Sequence, residues 1–124
     1  MNAITQTRKL VQSRLREAEL RAVDYEPDRL STPQVVIGAG SPYLQQGETF
    51  STDTLNLRLV CIAQNGPDYQ VQRDIDEMII KVTDVLAGIP QVQTYQVNAP
   101  MTLVAENFTA PAVEITTTIT IERT

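Results

Sequence analysis

Residues 52–63 alternate without a break. Leu55, Leu57, Leu59, Cys61 and Ala63 share one face, and Thr54, Asn56, Arg58, Val60 and Ile62 share the other. A strand with a continuous leucine face has to lie in a sheet buried on that side, so the rest of the chain must supply its cover. Ahead of it stand a short apolar strand, residues 34–37, and a loop over residues 38–49. The loop carries the turn formers Gly38, Gly40, Pro42 and Gly47, with Tyr43 and Leu44 exposed between them. It is long enough to project as an arm.

Two helices can provide the cover. Residues 3–22 place Ile4, Val11, Leu15, Ala18 and Ala22 at helical spacing, with Arg, Gln and Glu elsewhere. Leu10 and Leu20 lie off this stripe, so either the helix is buried on a second side or those leucines meet another protein. Residues 24–28, with Pro27, end the helix, and Pro33 delays the first strand. Residues 69–87 give the clearest periodicity, an apolar stripe of Ile75, Met78, Ile79, Val82, Val85 and Leu86. Asp68 is placed to cap this helix at its N-terminus, and Gly88 and Pro90 stop it. Docking six such side chains on the leucine face is worth about 1.5–3 kcal/mol each.

A strand is expected at residues 92–97. Residues 98–111 read either as a short strand with a turn or as a loop whose Met101, Leu103, Val104 and Phe108 reach a partner. In residues 112–123, Val113, Ile115, Thr117, Ile119 and Ile121 face in, and Glu114, Thr116, Thr118, Thr120 and Glu122 face out. The architecture expected is α+β, an antiparallel-rich sheet of about four strands with two helices, one packed on a single face, in one domain spanning residues 1–124.

Composition narrows function. The 124 residues hold no histidine, no tryptophan and one cysteine, with a formal charge of −5. The acidic balance argues against sequence-independent binding to a phosphate backbone. Arg8, Lys9, Arg14, Arg16 and Arg21 are interrupted by Glu17 and Glu19 and read as a solvated helix face. Cys61 sits where a small apolar core residue belongs, and nucleophilic catalysis has no histidine to serve it. Gly38-Ala39-Gly40 lacks the third glycine of a dinucleotide fingerprint, whose place Tyr43 takes, and no helix opens after it. Asp74, Asp76 and Glu77 form a solvated helix face rather than a cation site, which needs more ligands held by a loop. Aromatic side chains are too few to line a glycosidase cleft or a stacking platform for single strands. The expectation is a non-enzyme without cofactor or metal. Residues 1–6 lack the apolar run of a signal peptide, and no segment approaches the ~20 apolar residues that span a bilayer. Synthesis in a cytoplasm, with no membrane partner, is therefore expected.

The order and length of these elements, with Pro42-Tyr43-Leu44, Gly47-Glu48 and Phe50 ahead of the long strand, resemble the tail terminator proteins of long-tailed bacteriophages and related tailed particles. The resemblance spans nearly the whole chain, apart from residues 98–111. It implies a structural virion protein at the neck-proximal end of the tail, assembled in the host cytoplasm. Such proteins form a homohexameric ring that caps the tail tube, ends its polymerisation and offers a surface for head and neck attachment. The implied partners are further copies of the chain, the tail tube protein and a neck or connector protein, with DNA only as passing cargo. Apolar side chains left after assigning the core, Leu10, Leu20, Tyr43, Leu44, Val60, Ile62 and Phe108, are the interface candidates. Two other readings stay open: a head-completion or neck protein of the same virion, and a small cytoplasmic domain binding a ligand through residues 38–47.

Overall fold

The computed structural model describes residues 2–24, 32–49, 51–105 and 108–122. In chain order the elements are α1 (Ala3–Glu17), β1 (Ala22–Asp24), β2 (Gln34–Gln46), β3 (Thr52–Ile62), α2 (Asp68–Ala87), β4 (Val92–Val97), β5 (Met101–Ala105) and β6 (Phe108–Glu122). The α+β class expected from the sequence holds, but the sheet has six strands rather than four. Its order is β1-β2-β3-β6-β4, with β5 also paired to β6. β1 runs parallel to β2 and every other pairing is antiparallel.

The two longest ladders join β3 to β2 and to β6, so β3 and β6 form the middle of the sheet. Leu55, Leu57, Leu59 and Cys61 of β3 are buried, as are Val113, Ile115, Ile119 and Ile121 of β6. Val11 and Leu15 of α1, and Ile75, Met78, Val82 and Leu86 of α2, close over them in one apolar cluster. Both helices thus pack on the same face. Ile79 and Val85 join from the flank of the α2 stripe. The opposite face is polar over most of its length: Arg58 Nε lies 2.6 Å from Glu114 Oε2, and Thr118 donates to Asn56 Oδ1 at 2.9 Å.

Helix α1 stops at Glu17, five residues short of the expected end at Ala22. Glu19 takes a left-handed φ of 66°, the Leu20 N–H donates to the Leu15 carbonyl and the Glu19 N–H to the Arg16 carbonyl. This is a Schellman turn, and Leu15 and Leu20 both enter the core. The released chain then forms β1, where Ala22, expected on the helix, pairs with Val35.

Strand β2 does not end at Ile37 to release an arm. It continues to Gln46 along β3, with one irregularity between Ala39 and Leu44. Gly40 is needed there, since a Cβ on it would lie 2.9 Å from Asn56. Pro67, not Asp68, stands at the N-terminal boundary of α2, which has no side-chain cap; Asp68 is the first helical residue. Within residues 98–111, Met101–Ala105 form β5 and β6 begins at Phe108 rather than at residue 112, residues 106–107 lying outside the described ones. Residues 25–31, Phe50 and Arg123, on which parts of the sequence reading fall, lie outside the described residues.

Candidate interaction surfaces

The seven interface candidates do not form one surface. Leu20 is buried, because the turn after α1 folds it back onto Leu15. Ile62 is also buried, on the open face of the sheet. There it packs with Ala110 and Ala112, and Val36, Val60 and Leu103 gather partly buried around them. The pairing of β5 with β6, the short-strand alternative of the sequence reading, creates this second small cluster and withdraws Ile62 from water. Leu10 and Tyr43 are half-buried against the main core. Leu44 is exposed. The side chain of Phe108 lies outside what is described.

Tyr43 belongs to a buried polar knot. Arg8, expected on a solvated face, is 1% exposed. Its Nε donates to Asp24 Oδ1 at 2.7 Å, its Nη2 lies 2.5 Å from the same oxygen, and Nη2 also donates to the Ile37 carbonyl at 2.9 Å. Nη1 donates to the Tyr43 hydroxyl at 3.1 Å. Burial lowers the pKa of the guanidinium, but the bonds to Asp24 and Tyr43 outweigh it and the net shift is upward. Arg8 therefore stays charged and ties α1 to β1 and β2. The signal was present in the sequence: Arg8 is in phase with Ile4, Val11 and Leu15, so a charge on the core stripe had to find a partner.

Cys61 offers no nucleophile. Burial pushes its thiol from an ordinary 9.0 to about 12, so it stays protonated at neutral pH. A cleft of about 420 Å³ between the end of α1, the start of β2 and α2 is lined by Glu19, Arg21, Gln34, Asp74, Glu77 and Lys81. Both signs of charge meet there, and Asp74 already accepts from Gln70 at 2.9 Å. Gln34 Oε1, buried at this cleft, has no hydrogen-bond partner. Among the described residues no group of three His, Cys, Asp or Glu side chains is placed to hold a metal ion. Among them, too, no helix is long and apolar enough to cross a membrane.

Beyond Leu44, the exposed apolar surface combines Met101 and Val104, which the sequence reading named as able to reach a partner, with residues that it had not singled out. On α2, Tyr69 is 71% and Ile80 62% exposed, on the side facing away from the sheet. Along β4 and β5, Tyr95, Val97, Met101 and Val104 are exposed. These two strands lie in succession along the same side of β6. Ile80 could have been found as the one large aliphatic on α2 outside the core stripe. Tyr95 and Val97 of β4 could not, because their exposure depends on that strand ending the sheet.

No protein-family model matches the chain. No curated protein matches it either.

Proposed function

We propose that the chain is a structural subunit of a tail-terminator-type ring: a non-enzymatic virion protein that closes on copies of itself, caps the tail tube and presents a surface to the neck. The observation that carries the reading is where the exposed apolar side chains lie. Apart from Leu44 they form two unlike groups, one on the outer side of α2, where Tyr69 and Ile80 border an open depression, and one along β4 and β5. A closed ring with more than two members is built from heterologous contacts, in which one patch meets a different patch on the neighbour. The element order that resembles the terminator family and the lack of histidine in the chain support the same reading.

The test is tube length. Purified tail tube protein polymerised with this chain should give capped tubes of limited length, with the chain at one end. Tubes that grow as they do alone, with none of the chain on them, would contradict the reading. Cross-linking to a portal or connector protein in place of the tube would move the subunit to the head side of the joint.

A further inference from the structure

The two sides of the sheet are finished differently. On one side β1 pairs only with Val35–Ile37 of β2, and the Ala22 carbonyl on β1 is already taken by Gln12 at 3.2 Å and Arg16 at 3.1 Å. Beyond β1, residues 38–46 of β2 have no strand on their outer side among the described residues. On the other side β4 and β5 end the sheet.

The strand residues that form the free edges are themselves uncharged, and the nearest charges on the β2 side, Arg8 and Asp24, are paired with each other. Residues 32–47 and 89–105 contain no Asp, Glu, Lys or Arg, in a chain whose formal charge is −5. Open edges are normally guarded by lysines, inward charges or prolines, because their unpaired N–H and C=O groups template further pairing. β4 and β5 contain none of these guards; Pro100 stands between them. Copies of an acidic chain repel one another everywhere except where charge is missing.

The free edges also match in height and direction. Gly38 aligns through Arg58 and Thr116 with Gln96, Ala39 through Leu57 and Thr117 with Tyr95, and Leu44 through Leu55 and Ile119 with Val92. The unpaired part of β2 therefore stands level with β4 across the sheet. β2 and β4 run in opposite directions, since β2 and β6 are each antiparallel to β3 and β4 is antiparallel to β6. In a ring whose axis follows the strands, the β4 of one copy meets the β2 of the next in the antiparallel sense.

The hydrogen-bonding phase agrees. The Asn98 N–H donates to the Glu114 carbonyl at 2.9 Å, which fixes Asn98 and Gln96 as the residues bonded to β6 and leaves Val97 and Tyr95 with their backbone groups pointing outward. On β2, the Val35 N–H donates toward β1 and the Ile37 carbonyl accepts Arg8, so Ala39, two further on, also points outward. Ala39 and Tyr95 are in the same row.

We infer that the uncharged β4 edge docks, antiparallel and head to tail, on the uncharged outer edge of β2 in a second copy of this chain, extending the sheet from subunit to subunit. The contact is short, because the irregularity at residues 40–43 and the missing N–H of Pro42 interrupt it, and the exposed Leu44 and Val97 add apolar contact at its flanks. The inference rests on the ring reading for closure, but not for the pairing itself.

The experiment combines solution mass with amide hydrogen exchange on the wild-type chain and on Val97→Lys, Tyr95→Pro and Ala39→Lys. Circular dichroism and thermal unfolding confirm that each variant is folded. The wild type should be an oligomer of more than two chains with the Tyr95 amide, level with Ala39, protected, and each variant a folded monomer. Mixing Val97→Lys with Ala39→Lys should restore a one-to-one dimer, since each retains the edge that the other has lost. A ring in which the Tyr95 amide exchanges freely would overturn the strand pairing and leave the ring reading standing. A wild-type monomer, or Ala39→Lys assembling on its own as a symmetric β4-to-β4 dimer, would also overturn it. The tube-length assay then judges the ring reading separately.

Discussion

Replacing Asp24 by alanine strands a buried guanidinium. Arg8 is 1% exposed and its Asp24 partner 19%. Breaking a buried ion pair from one side costs about 3–5 kcal/mol, because the remaining charge stays desolvated. The partial access of water to Asp24, and the bonds that Arg8 keeps to Ile37 and Tyr43, place Asp24→Ala near the lower end, at about 3 kcal/mol. Arg8→Met removes the charge and keeps most of the packed stem. It leaves the Ile37 carbonyl and a partly wetted carboxylate without their donor, at about 1–2 kcal/mol. The double variant should cost little more than Arg8→Met alone, which makes the coupling between the two sites about 2–3 kcal/mol. The assay is a double-mutant cycle by urea unfolding at neutral pH. In thermal melts, Asp24→Ala should lower the midpoint by on the order of 10 °C, and adding Arg8→Met should recover part of the loss. A cycle in which the effects simply add, or an Asp24→Ala within about 0.5 kcal/mol of wild type, would refute the reasoning that this pair is desolvated and joined.

Two further outcomes follow from single residues. Cys61 should be inert to a thiol reagent at pH 8 in the folded chain and react once the chain is unfolded. Because the folded thiol holds its proton to about 12 against an ordinary 9.0, the unfolded state binds fewer protons between those values, and stability should fall by up to ~1.4 kcal/mol per pH unit above pH 9. A Cys61→Ala chain should lack that part of the alkaline loss, as unfolding free energies measured against pH would show. Glu19 occupies a left-handed conformation that suits glycine, so Glu19→Gly should stabilise the fold by about 0.5–1 kcal/mol in the same assay; a loss of stability would contradict the Schellman turn assigned there.

Periodicity carried the central elements. β3, β6 and α2 each repeat their apolar residues at one spacing over many residues, and β4 is bounded by turn-forming residues, so these elements could be placed before any coordinates. The ends of elements were less legible because they depend on tertiary contacts. Nothing in Ala18-Glu19-Leu20 marks the end of α1, since the left-handed position is filled by glutamate rather than glycine. Gly38, Ala39 and Gly40 read as a turn, whereas they continue β2, and only Gly40 is needed for close approach to β3. From the sequence, Leu20 and Ile62 are left over for a partner. They are consumed by the fold, one through the turn after α1 and the other through a hairpin formed by residues that had no clear pattern. The exposed edge formed by β4 and β5 depends on strand order, which no local pattern encodes.

The most direct test of the account is the mass of the purified chain in solution, taken together with negative-stain images of the same sample. The account predicts closed rings of about six subunits, the number carried by the family resemblance, with a mass that holds on dilution. A folded monomer at every concentration, which stays off tail tubes when mixed with them, would contradict it.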